Sequence, residues 1–212
     1  MAPDTVMQID AKSHWESVYN RNAANAVSWY REHLETSIRL IRKAGLATEA
    51  AFLDVGGGHS TLVDDLLAAG FTNLTVLDIA GAALAATRRR LGPAAERVTW
   101  ITGDVLSVSM NEAHFDLWHD RAVFHFLTRP EDRDAYVRQL LHALRPGGHA
   151  IIAPFGPEGP MKCSGLDICR YDADSLAHTL GTGFALEESA MELHETPAGK
   201  SQQFLYGLFR RV

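Results

Sequence analysis

The chain has 212 residues, of which 46% are hydrophobic and 22% are charged, as is typical of a globular protein built around one core. A chain of this length buries enough surface to fold without disulfides or structural metals. Its 20 Lys and Arg residues against 26 Asp and Glu residues give a formal net charge of −6. An acidic balance argues against a partner held mainly through its phosphates, and so against nucleic acid.

The sequence shows neither the pattern of a targeting signal nor that of a metal site. Residues 1–20 lack the apolar run of a secretory signal, and no stretch approaches the length of about 18 apolar residues that spans a membrane. The two cysteines, Cys163 and Cys169, have neither redox-pair nor zinc-site spacing. These features predict a cytoplasmic protein with no metal site and no membrane partner.

Short apolar runs alternate along the chain with longer amphipathic segments, which is the pattern of repeated strand and helix units. Gly-Pro and Pro-Gly-Gly sequences mark several of the boundaries. The predicted elements, in order, are a helical cap over 1–48, strand 51–55, helix 60–69, strand 74–79, helix 81–91, strand 98–102, strand 114–119, helix 131–144, strand 149–154, a long loop 155–172, helix 173–180, and strands 184–193 and 202–210 joined by a turn at 196–199.

This order predicts an α/β fold in which a doubly wound, mostly parallel seven-stranded sheet ends in an antiparallel C-terminal hairpin. We expect one domain over residues 1–212, with the cap at 1–48 covering the core at 49–212. Such sheets bind ligands beyond the carboxyl ends of their strands.

The strongest local signal is the segment from Phe52 to Ser60, where a buried strand with the acid Asp54 near its end runs into Gly56-Gly57-Gly58 and then a helix. Glycines allow close backbone approach, and a helix N-terminus attracts an anion. A plain strand-to-helix turn is the alternative. Asp54 would repel a pyrophosphate but hold an ammonium group, so the pattern favours a ligand derived from an amino acid.

Two further acids follow the next two predicted strands. Asp78 is placed to accept hydrogen bonds from ribose hydroxyls, and Asp104, after Gly103, is placed to accept one from an adenine amine. Either acid could instead only cap a helix. Acids at three successive strand ends nevertheless favour a nucleoside joined to an amino acid.

With these residues and the turn Leu144-Arg145-Pro146-Gly147-Gly148, the sequence resembles the class I S-adenosylmethionine-dependent methyltransferases of the small single-domain type over about residues 50–155. The resemblance implies a Rossmann-like fold with S-adenosylmethionine as cofactor. Asp54 and the glycines would hold the methionine end, Asp78 the ribose, and Asp104 with Val105 the adenine. Ser60 stands where the family's loop has its last glycine. The cofactor-binding residues expected from the resemblance are Tyr19, Trp29, Tyr30, Asp54, Gly56, Gly57, Gly58, Ser60, Asp78, Ile79, Gly103, Asp104, Val105 and His119.

The N-terminal region is rich in aromatic residues, with Trp15 and Tyr19 on one helical face and Trp29 and Tyr30 following. Small members of this class often close such a segment over the cofactor, and aromatic rings favour a sulfonium cation. The alternative is that these rings only pack the cap onto the core.

Catalytic candidates lie at the end of the fourth predicted strand, which faces the methyl group in the family. His119, Asp120, Arg121 and His125 are these candidates, with Asp120 and His125 favoured as general base. A histidine in the apolar run 123–127 could equally be a core residue, and Asp120 could be a structural partner. In the following loop, Cys163 could meet a soft substrate or be a small buried side chain.

The sequence as a whole therefore predicts a methyltransferase acting on a small-molecule acceptor by in-line transfer. The first alternative is a protein lysine methyltransferase, although such enzymes tend to carry an Asp-Lys-Gly run where this chain has His119-Asp120-Arg121-Ala122. The second is a protein that binds S-adenosylmethionine or a nucleotide without turnover.

Overall fold

The computed structural model describes residues 10–212; the first nine residues, which the sequence analysis assigns to the cap, lie outside it. In the described range, seven strands form one sheet in the order β3-β2-β1-β4-β5-β9-β8, and β6 and β7 form a small separate hairpin. The helices are α1 (Ala11–Arg21), α2 (Glu35–Lys43), α3 (Leu62–Ala68), α4 (Gly81–Leu91), α5 (Pro130–Ala143) and α6 (Ala173–Leu180). The strands are β1 (Phe52–Val55), β2 (Leu74–Asp78), β3 (Val98–Thr102), β4 (Phe115–Arg121), β5 (Leu144–Ala153), β6 (Lys162–Cys163), β7 (Leu166–Asp167), β8 (Phe184–Glu195) and β9 (Ser201–Arg211).

The sheet confirms the predicted fold class. Strands β1 to β5 pair in parallel, and β9 pairs antiparallel with both β5 and β8. The strand order reverses between β1 and β4, which is the switch point where doubly wound sheets bind their ligands.

Residues of each strand alternate between two apolar layers, because successive side chains leave opposite faces of a strand. Phe52 and Leu117 pack with α2, α3 and α4 on one face. Leu53 and Trp118 pack with α5 and α6 on the other. This alternation places Asp54 and His119 on the first face, because they are paired neighbours in β1 and β4.

Several predicted boundaries were wrong. Strand β4 continues to Arg121 rather than ending at His119, because it stays paired with β5 as far as Ala153. Strand β5 begins at Leu144 rather than at residue 149. The predicted loop 155–172 contains the short β6-β7 hairpin. The final two strands are also longer than predicted, at 12 and 11 residues.

Candidate functional site

A narrow cleft of about 30 Å³ lies at the carboxyl ends of β1 and β4, under the segment that joins α1 to α2. Eight of the predicted site residues line it, and the others lie beside or away from it. The lining residues are Val27, Trp29, Tyr30, Arg31, Leu34, Asp54, Val55, Gly56, Gly57, His59, Ser60, Thr61, His119 and Arg121.

The glycine loop after β1 forms the floor of this cleft. Gly56 has a φ of +67°, which glycine adopts at little cost, and its N–H donates to the Leu77 carbonyl at 2.7 Å. A Cβ at Gly57 would lie 2.5 Å from Asp54 Oδ2. A Cβ at Gly58 would lie 2.6 Å from Asp78 Oδ2. The glycines therefore leave space beside the two buried carboxylates that larger residues would fill.

Asp54 is held by a buried relay of side chains. His119 Nδ1–H donates to Asp54 Oδ1 at 2.7 Å, and His119 Nε2 lies 2.9 Å from the Ser37 hydroxyl of α2. Asp54 and His119 are 3% and 1% exposed. Asp54 Oδ2 has no hydrogen-bond partner among residues 10–212, although it is buried. A buried carboxylate oxygen of this kind suits an ammonium group from a ligand, as the sequence led us to expect.

Ser37 was missed by sequence reasoning. It lies on the buried side of α2 and is fully buried. A polar residue on the apolar face of an amphipathic helix is the signal that could have revealed it.

Asp78 lies at the end of β2, beside the glycine loop. Its Oδ2 accepts from the Gly58 N–H at 3.0 Å and its Oδ1 from the Ala80 N–H at 2.8 Å. Burial raises the pKa of this carboxyl to about 7, against the opposing effect of the two backbone hydrogen bonds. A carboxyl that titrates near neutral pH makes ligand binding here pH-dependent.

Replacing Asp78 with asparagine is expected to weaken binding of S-adenosylhomocysteine, the demethylated cofactor, by roughly 1–3 kcal/mol, because ribose hydroxyls lose a charged acceptor. Since hydroxyl donors favour the ionised carboxylate, binding by the unmodified protein is expected to strengthen roughly three- to tenfold from pH 6 to pH 8. The Asn variant should show no such change. Calorimetric titration at three pH values measures both effects, and a wild-type affinity independent of pH would remove Asp78 from the ribose site.

The end of β3 differs from the ends of β1 and β2. Asp104 is exposed, and its Oδ1 accepts from the Leu106 N–H at 2.9 Å, so it caps the turn that follows β3. Gly103 N–H donates to the Asp78 carbonyl at 2.9 Å, while Val105 is buried in the core. Ile79 is half-buried directly after β2. The predicted adenine contacts of these residues remain predictions.

The cap is tied to the core by an acid that sequence reasoning missed. Glu16 of α1 accepts from the N–H groups of Gly81 and Ala82, at 2.7 and 3.2 Å, where α4 begins. A carboxylate at this position accepts hydrogen bonds from otherwise free N–H groups and interacts favourably with the positive end of the helix dipole.

Aromatic rings of the cap pack together above the cleft. The Trp15 ring lies 5.9 Å from that of Trp29 and 5.0 Å from that of Phe126. Tyr19 packs edge-on against His59 of the glycine loop at 4.7 Å, and burial raises its pKa well above the usual value. Tyr19 therefore adjoins the cleft, whereas Trp29 and Tyr30 line it. Closure of this segment as a lid remains a prediction.

His59 is a second residue that sequence reasoning passed over. It is 5% exposed and lines the cleft, and its Nδ1 has no partner in the described part of the chain. Burial lowers its pKa, with the nearby arginines Arg90 and Arg89 adding to the effect. Its place inside the glycine-rich segment was a visible signal.

The favoured base candidates lie outside the cleft lining. Asp120 points to the α5 face, where its Oδ2 accepts from the Tyr136 hydroxyl at 2.6 Å and its Oδ1 from the N–H groups of Val123 and Phe124. Burial raises its pKa to about 6. His125 is fully buried, its Nδ1 accepts from the Phe155 N–H at 3.2 Å, and burial lowers its pKa to about 3. These contacts favour structural roles, and the predicted base remains a prediction.

The remaining candidates are Arg121, the last residue of β4, and Cys163, which ends β6. The Arg121 side chain is 5% exposed and lines the cleft. Burial raises the pKa of the Cys163 thiol to about 11, despite the opposing effect of nearby hydroxyls and Arg121. A thiol with that pKa is a poor nucleophile at neutral pH.

Among residues 10–212, no helix combines the length and apolar character needed to cross a membrane. The same residues form no cluster of three or more His, Cys, Asp or Glu side chains that could hold a metal ion.

Comparisons with known proteins agree with this geometry. Residues 52–148 match the family described as a methyltransferase domain. The chain is 28% identical over 193 residues to "EEF1A lysine methyltransferase 2" of Danio rerio, covering 84% of this chain and 77% of the relative. It is 30% identical over 106 residues to a ubiquinone/menaquinone biosynthesis C-methyltransferase of Roseobacter denitrificans, but covers only 41% of that protein.

A solved structure has the same fold. It is the 1,6-didemethyltoxoflavin-N1-methyltransferase of Burkholderia thailandensis, with 1,6-didemethyltoxoflavin and S-adenosylhomocysteine bound. The TM-score is 0.72 at 22% identity, covering 95% of this chain and 87% of the other. These matches support the resemblance of the chain to the class I S-adenosylmethionine-dependent methyltransferases.

The residues present suit that cofactor. Asp54 offers a buried, unpartnered oxygen to an ammonium group among the described residues, and the glycine loop leaves room that a Cβ would fill. The unpartnered oxygen thus suits the amino-acid end of S-adenosylmethionine, and the open loop suits its nucleoside end.

Proposed function

We propose that this protein transfers the methyl group of S-adenosylmethionine to a small-molecule acceptor. The observation that carries the proposal is an open groove of about 590 Å³ beside the cleft, a volume within the usual range for small-molecule sites. Tyr30 and Arg31 line both the groove and the cleft, so the two spaces adjoin. The remaining lining residues of the groove are Asn25, Glu32, Leu193, Glu195 and Pro197.

The residues of the chain would act mainly by positioning. Asp54, oriented by His119, would hold the amino group of the cofactor, and Asp78 would hold its ribose. When bound, S-adenosylmethionine supplies a methyl group already activated by a positive sulfonium. The aromatic rings of the cap would exclude water above the site, and fixing two reactants in line lowers the barrier by up to about 7–11 kcal/mol.

This geometry does not require a general base in the cleft. His119, which does line the cleft, has both ring nitrogens engaged with Asp54 and Ser37. An acceptor that binds already ionised needs no proton transfer, so its methylation would depend on orientation alone.

A protein lysine methyltransferase is the second candidate. The observation that favours it is the 28% identity to the zebrafish lysine methyltransferase over 84% of this chain. A lysine side chain could reach the cleft through the groove. The match to the methyltransferase domain family argues against the remaining alternative, a binding protein without turnover.

Methyl-labelled S-adenosylmethionine, incubated with the protein and a cell extract, separates these candidates. The proposal expects label in the small-molecule fraction and none above background in precipitated protein. Label confined to protein would favour the lysine candidate, and label in neither fraction would contradict methyl transfer to any acceptor in the extract.

A pair of variants makes this test specific. Asp54→Asn keeps the shape of the side chain but removes the charge that would hold the amino group, and is expected to abolish labelling. Asp134→Asn is the matched control, because Asp134 is exposed on α5, which packs on the opposite face of the sheet. It should label as the unmodified protein does.

A further inference from the structure

The guanidinium of Arg121 is buried beside the cleft. Its Nε–H donates to the Tyr206 hydroxyl at 2.8 Å and its Nη1–H to the Trp29 carbonyl at 2.9 Å. The group lies 4.2 Å above the Phe204 ring. Although the side chain is only 5% exposed, Nη2 has no hydrogen-bond partner within residues 10–212. A buried charged group with an unused donor is costly unless a ligand satisfies it.

One carboxylate lies near Nη2 but already accepts hydrogen bonds from other side chains. Glu192 Oε1 lies 3.6 Å from Nη2, beyond hydrogen-bond distance. The same carboxylate accepts from the Thr36 hydroxyl at 2.5 Å and from Arg31 Nη1 at 3.4 Å. Glu192 thus moderates the charge of Arg121 without satisfying its free donor.

The position of the guanidinium separates it from the methionine end of the cofactor site. Phe204 and Tyr206, its neighbours, belong to β9, which the strand order places on the opposite side of β4 from β1. Arg121 follows Asp120, which pairs with Val55 of β1, so the backbone of Arg121 lies beside the glycine loop while its side chain extends toward β9. The head group therefore lies on the side of the cleft away from the glycine loop.

We infer that Arg121 forms an anion-binding subsite for the acceptor, which binds with a negatively charged group such as a carboxylate against Nη2. The inference rests on the proposed function and narrows its substrate class. A guanidinium pairs with a carboxylate through short, charge-assisted hydrogen bonds. The same charge repels an ammonium group, so the subsite disfavours a lysine side chain.

Three probes of equal size test the subsite without knowledge of the acceptor. Benzoate, benzamide and benzylamine, which share one aromatic ring and differ in the charge of its substituent, are titrated into the protein saturated with S-adenosylhomocysteine. Benzoate is expected to bind at least about tenfold more tightly than either of the others. Equal affinity for benzoate and benzamide, or tighter binding of benzylamine, would overturn the inference.

Variants of Arg121 connect this preference to one side chain. Arg121→Gln is expected to reduce the benzoate preference to less than about threefold, while Arg121→Lys, which keeps the charge, retains part of it. The matched control is Arg39→Gln, because Arg39 is half exposed and pairs with Glu188. It should leave the preference unchanged. If Arg121→Gln does not fold, as a melting curve would show, the Lys variant carries the comparison.

A second arm examines the cofactor. S-adenosylhomocysteine affinity is expected to stay within about threefold in both Arg121 variants. A larger loss that is absent for decarboxylated S-adenosylhomocysteine would place the cofactor's carboxylate on Arg121 and overturn the acceptor subsite. Label found only in protein, together with an intact benzoate preference, would refute the proposed function and leave the anion subsite standing.

Discussion

Gly56→Val is expected to abolish measurable S-adenosylhomocysteine binding, a loss of more than about 100-fold, and to destabilise the fold by roughly 2–4 kcal/mol. Gly56 has a φ of +67°, where a β-branched residue is strained. A Cβ built there also collides with the side chain of Val123. The loop that carries Gly57 and Gly58 must therefore shift, and the cofactor loses its cradle.

A substitution at a second glycine distinguishes the effect of backbone strain from that of a side-chain collision. Gly92 has a φ of +56°, but a Cβ there meets nothing within 4 Å, and the residue follows the last residue of α4. Gly92→Val is expected to cost stability through backbone strain alone and to bind S-adenosylhomocysteine normally. Denaturant unfolding and calorimetry measure both variants. A Gly56→Val protein that binds S-adenosylhomocysteine as tightly as Gly92→Val would contradict the assignment of the glycine loop to the cofactor site.

Asp120→Ala is expected to destabilise the protein by roughly 3 kcal/mol or more. The carboxylate accepts from the Tyr136 hydroxyl and the Phe124 N–H in the protein interior, and from the partly buried N–H of Val123. Removing it leaves three donors without their acceptor, at about 1–3 kcal/mol for each buried group. Asp120→Asn, which keeps one oxygen, should lose less.

This variant also decides between two roles for Asp120. A general base would instead show turnover lowered by about 10²- to 10⁴-fold, with stability and cofactor affinity nearly intact. Unfolding curves, S-adenosylhomocysteine titrations and single-turnover transfer on the folded fraction distinguish the two. Unchanged stability together with slow transfer would favour the catalytic role and contradict the structural one.

The sequence was a good guide wherever a single segment determines the outcome. The strand at Phe52–Val55, the glycine turn and the acid at Asp78 are all local patterns, and the structure places them at one edge of the sheet. The order of strands follows from short connections and alternating elements, which allow few topologies.

What the sequence did not reveal depends on contacts between distant segments. The run His119-Asp120-Arg121 reads as a strand end, but pairing with β5 extends β4 through it and sends alternate side chains to opposite faces. His119 consequently meets Ser37 from α2, whereas Asp120 meets Tyr136 from α5. Neither partner can be recognised from the spacing of residues along the chain.

The cap shows the same limitation. Its aromatic residues were visible in the sequence, but the carboxylate of Glu16 at the start of α4 was not, because that contact joins residues 65 positions apart. The orphaned Nη2 of Arg121 likewise becomes apparent only when β4, β8 and β9 are assembled.

A crystal structure of the complex with S-adenosylhomocysteine tests the central claim most directly. We expect the amino group of the ligand within hydrogen-bond distance of Asp54 Oδ2, its ribose hydroxyls on Asp78, and its backbone against the loop from Gly56 to Gly58. The sulfur should then face the side of the cleft that holds Arg121. A ligand bound elsewhere, or bound here with its amino group away from Asp54 and its ribose away from Asp78, would contradict the account.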